Sequence, residues 1–336
     1  MLLPIPEPIR AADIALFELL QRVAFSRYLN PTNAQAARSK FRAGDKTPPF
    51  EYQPLSEADD LLRLLDAVDP PRDHPAGVLV GECIDGTRRL IRALRDRTAA
   101  AFDTLNQAAG WYPTPDLLAL QFPKVTAPKQ PMNVPAAALI ERFEQALNER
   151  QMSDWRIVED EVMSARVLVD SAKRIIRIRS SAKFRLRDLN RLVVHELDVH
   201  AQRAVNGSAQ TLRCFSTGLP GSLATEEGLA MVAEEESGTA TPGAMNHQLE
   251  VLCSIQHARE AGFWEVYKAI EERAGRGLAW GISLRIKRGL AHPDQPGVYA
   301  KDSVYLTGRT RVRAWLDEGG DIEQLYVGKV AVHHPV

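Results

Sequence analysis

Along the first half of the chain, apolar positions recur every three to four residues, the spacing of amphipathic helices. Ile14, Leu16, Leu19, Leu20 and Val23 mark one such face within residues 10–28, and further helices are expected over 56–67, 86–108 and 134–149. Asn30-Pro31-Thr32-Asn33 breaks the first helix and caps another, and a proline-rich loop follows through Pro48, Pro49 and Pro54. Five prolines within 112–132 predict an irregular stretch there. After residue 150 the period changes. Segments 155–160, 165–170 and 174–179 are short and rich in β-branched residues, with Val167/Val169 and Ile176/Ile178 alternating, so they are strand candidates, partly as hairpins. Helical spacing returns: one helix from Leu186 through His195 to Gly207, a second from Thr225, and a long one over 245–273. The layout expected is a mainly helical N-terminal region (1–150) packed on an α+β catalytic region (151–336) with a small, mostly antiparallel sheet.

Composition narrows the function classes. The chain has 336 residues, of which 45% are hydrophobic and 25% charged, ordinary globular values. A net charge of -1 gives no electrostatic grip on nucleic acid or anionic lipid, so neither is an expected partner. Three widely spaced cysteines, Cys83, Cys214 and Cys253, predict no disulfide framework and fit a reducing compartment. The first residues lack a signal peptide's basic and apolar stretches, and no apolar run reaches a membrane span, so a cytoplasmic protein is expected.

The candidate chemistry sits in His195-Glu196-Leu197-Asp198-Val199-His200 and, about thirty residues on, Glu226-Glu227-Gly228-Leu229-Ala230. Two histidines and a carboxylate are the donor set of a catalytic zinc, which leaves its fourth position to water. The histidines are spaced i, i+5. In an ideal α-helix five residues rotate by about 500°, which leaves the two side chains roughly 140° apart and unable to share a metal. A π-bulge around 197–199 is therefore expected. An adjacent glutamate pair on an apolar stretch is costly to bury without a cation, and a divalent ion is a sufficient partner. His195, His200 and Glu227 are the expected ligands of one zinc ion. Glu196 is the expected general base, and Glu226 would orient a ligand histidine. Asp198 should point away, Arg203 could pair with Glu226, and Glu234-Glu235-Glu236 reads as a solvated acidic run.

Those motifs, with Gly218-Leu219-Pro220-Gly221, Tyr28-Leu29-Asn30-Pro31-Thr32-Asn33, Pro49-Phe50-Glu51-Tyr52, Arg288-Gly289-Leu290 and Lys301-Asp302-Ser303-Val304-Tyr305-Leu306-Thr307-Gly308, resemble the bacterial QEGLA-motif family, sometimes labelled flavohemoglobin expression-modulating. That family is similar to the eukaryotic microtubule-associated tyrosine carboxypeptidases, zinc enzymes that remove a C-terminal tyrosine from α-tubulin. The spaced motif is also similar to that of dipeptidyl peptidase III. The resemblance implies a gluzincin-like core with a bulged HExxxH helix, and the same ligands and base that the chemistry suggests. The pentad here begins with Glu226 instead of glutamine, and Asp198-Val199 stands where eukaryotic members tend to have Gly-Thr. The expected function is a metallocarboxypeptidase that removes a C-terminal residue, plausibly Tyr or Phe, from a peptide or protein. Arg288 and Lys301 are candidates to hold the terminal carboxylate, although an ordinary surface charge is the commoner role of any single Lys or Arg. Tyr305 is a candidate oxyanion donor, or equally a strand residue facing the core. Two other readings fit the same residues: an endopeptidase or peptide-maturation protease with a dedicated substrate, and a non-catalytic regulator that binds the metal for structure.

Overall fold

A computed structural model describes residues 4–123, 130–161, 163 and 165–334. Helices dominate and two small sheets interrupt them, so the chain is α+β. The first helical face forms as Glu7–Arg22, followed by the short Phe25–Leu29. The expected helix over 86–108 is two helices, Pro75–Asp96 and Ala99–Ala108. Between them Arg97 adopts a left-handed conformation with φ 51°, and its guanidinium donates to the carbonyls of Tyr28, Gln53 and Gly289. The Thr98 hydroxyl then caps the second helix by accepting from the Ala101 amide at 3.2 Å. Within 112–132 a short helix, Pro115–Leu118, forms behind Thr114, whereas residues 124–129 lie outside those described. The long helix expected over 245–273 is also divided, into Ala244–Ala258 and Phe263–Ala274. At the division a Cβ on Gly262 would sit 2.1 Å from the Asp294 carbonyl oxygen, so a crossing loop passes where a continuous helix would run.

Five strands are present among the described residues: β1 Val134–Pro135, β2 Arg156–Glu159, β3 Val167–Asp170, β4 Ile175–Ile178 and β5 Lys183–Phe184. β1 and β5 form an antiparallel pair, and the three-stranded sheet has the order β2-β4-β3. β3 and β4 are the expected antiparallel hairpin, with Val169 opposite Ile176. β2 runs parallel to β4, with Ile157 opposite Ile176.

The chain from Leu186 to Ser208 is continuously helical in three parts: an α-helix Leu186–Leu192, a π-helical segment Val193–Ala201 and an α-helix Gln202–Ser208. Two cores grip it from opposite sides. Leu197 and Ala201 join Phe143, Ile176, Ile178 and Phe184 from the helix Ala136–Glu149 and the strands. Val199 joins the largest core, which also takes Ile9, Leu16, Ile84 and Phe102 from the N-terminal helices. Burial on both sides accounts for its apolar residues Val193, Leu197, Val199 and Ala201, which flank the histidines. Next to it lies the helix Ser222–Glu236, which crosses the helix Val304–Asp317. Gly228 and Gly308 make that crossing possible. A Cβ on Gly228 would lie 2.1 Å from the Gly308 carbonyl carbon, and one on Gly308 would lie 1.7 Å from the Ala224 oxygen. No helix among the described residues is long and apolar enough to cross a membrane.

Candidate metal centre

The π-helical segment brings the histidines together. Bonding from i to i+5 stacks residues five apart on one side of the helix, where an α-helix would splay them. The irregularity extends over all of Val193–Ala201 and is not confined to 197–199. The imidazole rings of His195 and His200 have centroids 4.8 Å apart. Their Nε2 atoms approach the same carboxylate oxygen, Glu227 Oε2, at 3.4 and 3.6 Å. One ligand atom from each of these three buried residues lies within 4.8 Å of the others.

These separations suit a metal better than they suit hydrogen bonds. Four donors placed tetrahedrally at zinc-ligand distances are about 3.3 Å apart. Glu227 Oε2 is buried and has no hydrogen-bond partner among the described residues, a costly state for a carboxylate oxygen unless a cation completes it. His195, His200 and Glu227 could therefore hold a divalent ion. Without one, the charges balance internally. Burial opposes the imidazolium of His195, but the Glu227 and Glu234 carboxylates outweigh it and push its pKa up to about 10. His200 is raised in the same way by Glu226 and Glu227 against its own burial. Glu227 is held well below the usual carboxylate range, the two histidines overcoming the burial that would raise it.

Each histidine is fixed from behind. A carboxylate only accepts, so each Nδ1 donates: His200 to Glu226 Oε1 at 2.8 Å and His195 to Glu234 Oε1 at 2.8 Å. Each Nε2 therefore faces Glu227, and its lone pair would be free for an ion once the second proton is displaced. Glu226 also pairs with Arg203 and Lys329, which hold its carboxyl low despite burial. Glu234 accepts from Arg191 Nη1 at 2.7 Å. The acidic run is thus only partly solvated. Glu234 is 6% exposed, and Glu235 is held by Arg309 and Arg313. The signal for Glu234 was available, because seven residues after Glu227 is two helical turns along the same face. Arg191 shares the motif helix, but Lys329 had no local signal. Asp198 turns away, with its Oδ1 accepting from Arg150 Nε at 2.5 Å.

A cleft of about 1340 Å³ opens beside the cluster. Glu196 lines it, with no hydrogen bond or ion pair among the described residues. Arg288, Lys301 and Tyr305 line it too. Tyr305 lies on the helix Val304–Asp317 and not on a strand, and burial together with the Glu227 carboxylate raises its phenol well above its ordinary range. Lys301 is lowered by burial in spite of Glu227 and Asp302. Arg285 grips Asp302 with two bonds, 2.6 and 2.9 Å, whereas Arg288 reaches the same carboxylate only at 3.5 Å and stacks over Tyr299 at 5.3 Å. The arrangement sets an unengaged carboxylate beside three convergent donors, with basic groups across the same cleft.

Comparison with known proteins follows the same residues. A family profile described as microtubule-associated tyrosine carboxypeptidase matches residues 42–335, a stretch that includes every residue of the cluster. Microtubule-associated tyrosine carboxypeptidase 1 of Mus musculus is 28% identical over 162 residues, 47% of this chain. The match spans 34% of that relative's own length.

Proposed function

The chain belongs to the microtubule-associated tyrosine carboxypeptidase family, and from that premise we propose that it is a zinc-dependent metallocarboxypeptidase removing one C-terminal residue, Tyr or Phe, from a peptide or protein. One observation carries the reading: His195, His200 and the orphaned Oε2 of Glu227 converge at the rim of a cleft that also holds Glu196. Two nitrogens and one carboxylate oxygen favour zinc over magnesium or calcium. Three protein donors leave a coordination position open, whereas a structural zinc takes four. When bound there, zinc supplies Lewis acidity to water and to the scissile carbonyl. The Glu196 carboxylate takes the proton from that water and passes it to the leaving amine, with no covalent enzyme intermediate. Tyr305, kept protonated, donates a hydrogen bond to the carbonyl oxygen as negative charge develops on it. Arg288 and Lys301 bind the terminal carboxylate, and the Arg fork sets its orientation.

The test is mass spectrometry of peptides ending in Tyr or Phe, with free and amidated C termini. Wild type should release one residue from the free acids only. Glu196→Gln should bind zinc normally and act on the order of 10²–10⁴ times more slowly. Internal cleavage would replace the carboxypeptidase reading with an endopeptidase one, and full activity in Glu196→Gln would remove that residue from the chemistry.

A further inference from the structure

The two candidate ligand histidines are supported in different ways. For His195 the support is local: Glu234 comes from the neighbouring helix, and Arg191, which holds Glu234, is one turn before His195 on the same helix. His200 has a matching local pair, Glu226 from that same neighbouring helix and Arg203 one turn after the histidine, and in addition a support from a distant segment, Lys329. Glu226 accepts from His200 Nδ1, Arg203 and Lys329 Nζ, the last at 2.6 Å to the same Oε1 that receives the histidine. Arg203 is 0% exposed, and its other two nitrogens donate to the carbonyls of Leu325 and Val330, both at 2.7 Å.

We propose that the C-terminal segment around Lys329 is a working part of the metal centre, with Lys329 a positioning residue for His200 acting through Glu226. The inference rests on the zinc reading above. The segment docks through its backbone, independently of the Lys329 side chain. Lys329 N donates to the Phe215 oxygen at 2.6 Å, Leu219 N donates to the Lys329 oxygen at 3.0 Å, and Val332 N donates to Thr225 Oγ1 at 3.0 Å. The ammonium is therefore delivered to Glu226 by a path that survives its removal. Its position on Oε1 has a directional effect. Arg203 alone would draw the buried carboxylate toward Oε2 and the Leu325–Val330 side. Lys329 on Oε1 balances that pull and keeps the oxygen where His200 Nδ1–H reaches it. Losing this balance lets the imidazole rotate, and its Nε2 leaves the geometry a metal requires. Outer partners of metal-bound histidines typically contribute 10–100-fold in affinity.

The test uses the full chain as wild type, Lys329→Met and Lys329→Arg. Zinc affinity is read by competition with a chromophoric chelator, and ligand geometry by the visible d–d absorption of the Co²⁺-loaded protein. Thermal unfolding of the metal-free chains is the structural control. Lys329→Met should bind zinc about 10-fold more weakly, with an altered cobalt spectrum and little change in metal-free unfolding. Lys329→Arg should restore both. Wild-type affinity and spectrum in Lys329→Met would overturn the proposal while leaving the zinc reading intact. So would a loss that tracks metal-free unfolding and is not rescued by arginine. If wild type itself takes up no zinc, the zinc reading fails, and the role of Lys329 fails with it.

Discussion

Two buried polar clusters share the cleft and are built on opposite logic. In one, His195, His200 and Glu227 converge, with Glu196 beside them and Glu226 and Glu234 behind. Its cations, Arg191, Arg203 and Lys329, all stand at the back, on the outer carboxylates. In the other, Arg285, Arg288 and Lys301 surround one carboxylate, Asp302, which they hold well below its ordinary range against its burial. The first gathers carboxylates around two histidines, and the second gathers basic groups around one carboxylate. In the proposed reading a divalent ion would sit in the first and the free C terminus of a substrate against the second. A single substrate that bridges both would explain why the clusters are adjacent.

The most severe way to break that comparison is Glu227→Gln. The amide keeps the shape but removes the charge the histidines face, and it brings an N–H₂ into a place built for a cation. Zinc affinity should fall more than about 100-fold and peptidase activity should become undetectable, since one of three protein donors is lost and the neutral amide supplies no charge in its place. Retained zinc, measured by chelator competition, would mean that the convergence is only a buried ion-pair network. The second cluster is separated from the first by Arg288→Met. A charge-assisted bond to a carboxylate contributes about 1.5–3 kcal/mol, so KM for free-acid peptides should rise about 10–100-fold with zinc affinity unchanged. An equal rise for amidated peptides would show that Arg288 does not read the terminus.

The centre of the first cluster was legible in the sequence, but its supports were not. His195, Glu196, His200 and Glu227 lie in two short motifs whose donor types and spacing carry chemistry. The five-residue spacing was awkward for an α-helix, and it pointed to local π geometry, which the structure spreads over nine residues. Glu234 was obscured because three consecutive glutamates look like a solvated face, although its phase with Glu227 places it inward. Lys329 lies some 100 residues from Glu226, and nothing in its neighbours marks it. The same divide holds for the fold. The β-branched alternation located β2, β3 and β4, but the parallel pairing of β2 with β4 is a non-local choice that the local period does not encode. Similarly, the break at Gly262 depends on Asp294, a residue beyond the helix itself.

A smaller effect tests whether the clusters are mechanically joined. Gly228 packs against the helix that carries Tyr305, directly after the segment carrying Lys301. Gly228→Ala must move backbone, since its Cβ would lie 2.1 Å from the Gly308 carbonyl carbon and 2.5 Å from the Arg309 nitrogen. Overpacking of this kind costs about 1–3 kcal/mol. Tm should drop by several degrees, and KM should rise along with it as Tyr305 and Lys301 shift relative to Glu227. The control is Gly86→Ala, at a helical glycine with nothing within 4 Å of the added methyl, which should be neutral or slightly stabilising. A Gly228→Ala enzyme with unchanged kinetics would mean that the two clusters are aligned by something other than this crossing.

The mildest test separates the clusters by proton linkage alone. In metal-free protein, His195 has a folded pKa of about 10 against an unfolded value near 6.5. A raised pKa contributes stability that is fully present below the unfolded value and is lost as pH rises through the folded one. Glu227 is displaced downward, so its share is lost only on strong acidification. Arg285 is raised and Asp302 lowered, so neither loses its charge between pH 7 and 10. Burial lowers Lys301, and Lys287 to about 8, so their loss of protons opposes the trend, and the fall expected in Tm of chelator-treated protein from pH 7 to 10 is the metal cluster's share less theirs. Zinc and the proton compete for the same nitrogens, so bound zinc should reverse the trend, its affinity rising with pH over the same window. In His195→Gln the share of the metal-free slope carried by His195 should vanish, leaving that of His200, which is raised in the same way. A slope as steep as that of the wild type would trace the pH response away from His195 and would remove the charged His195–Glu227 contact from the account of the resting site.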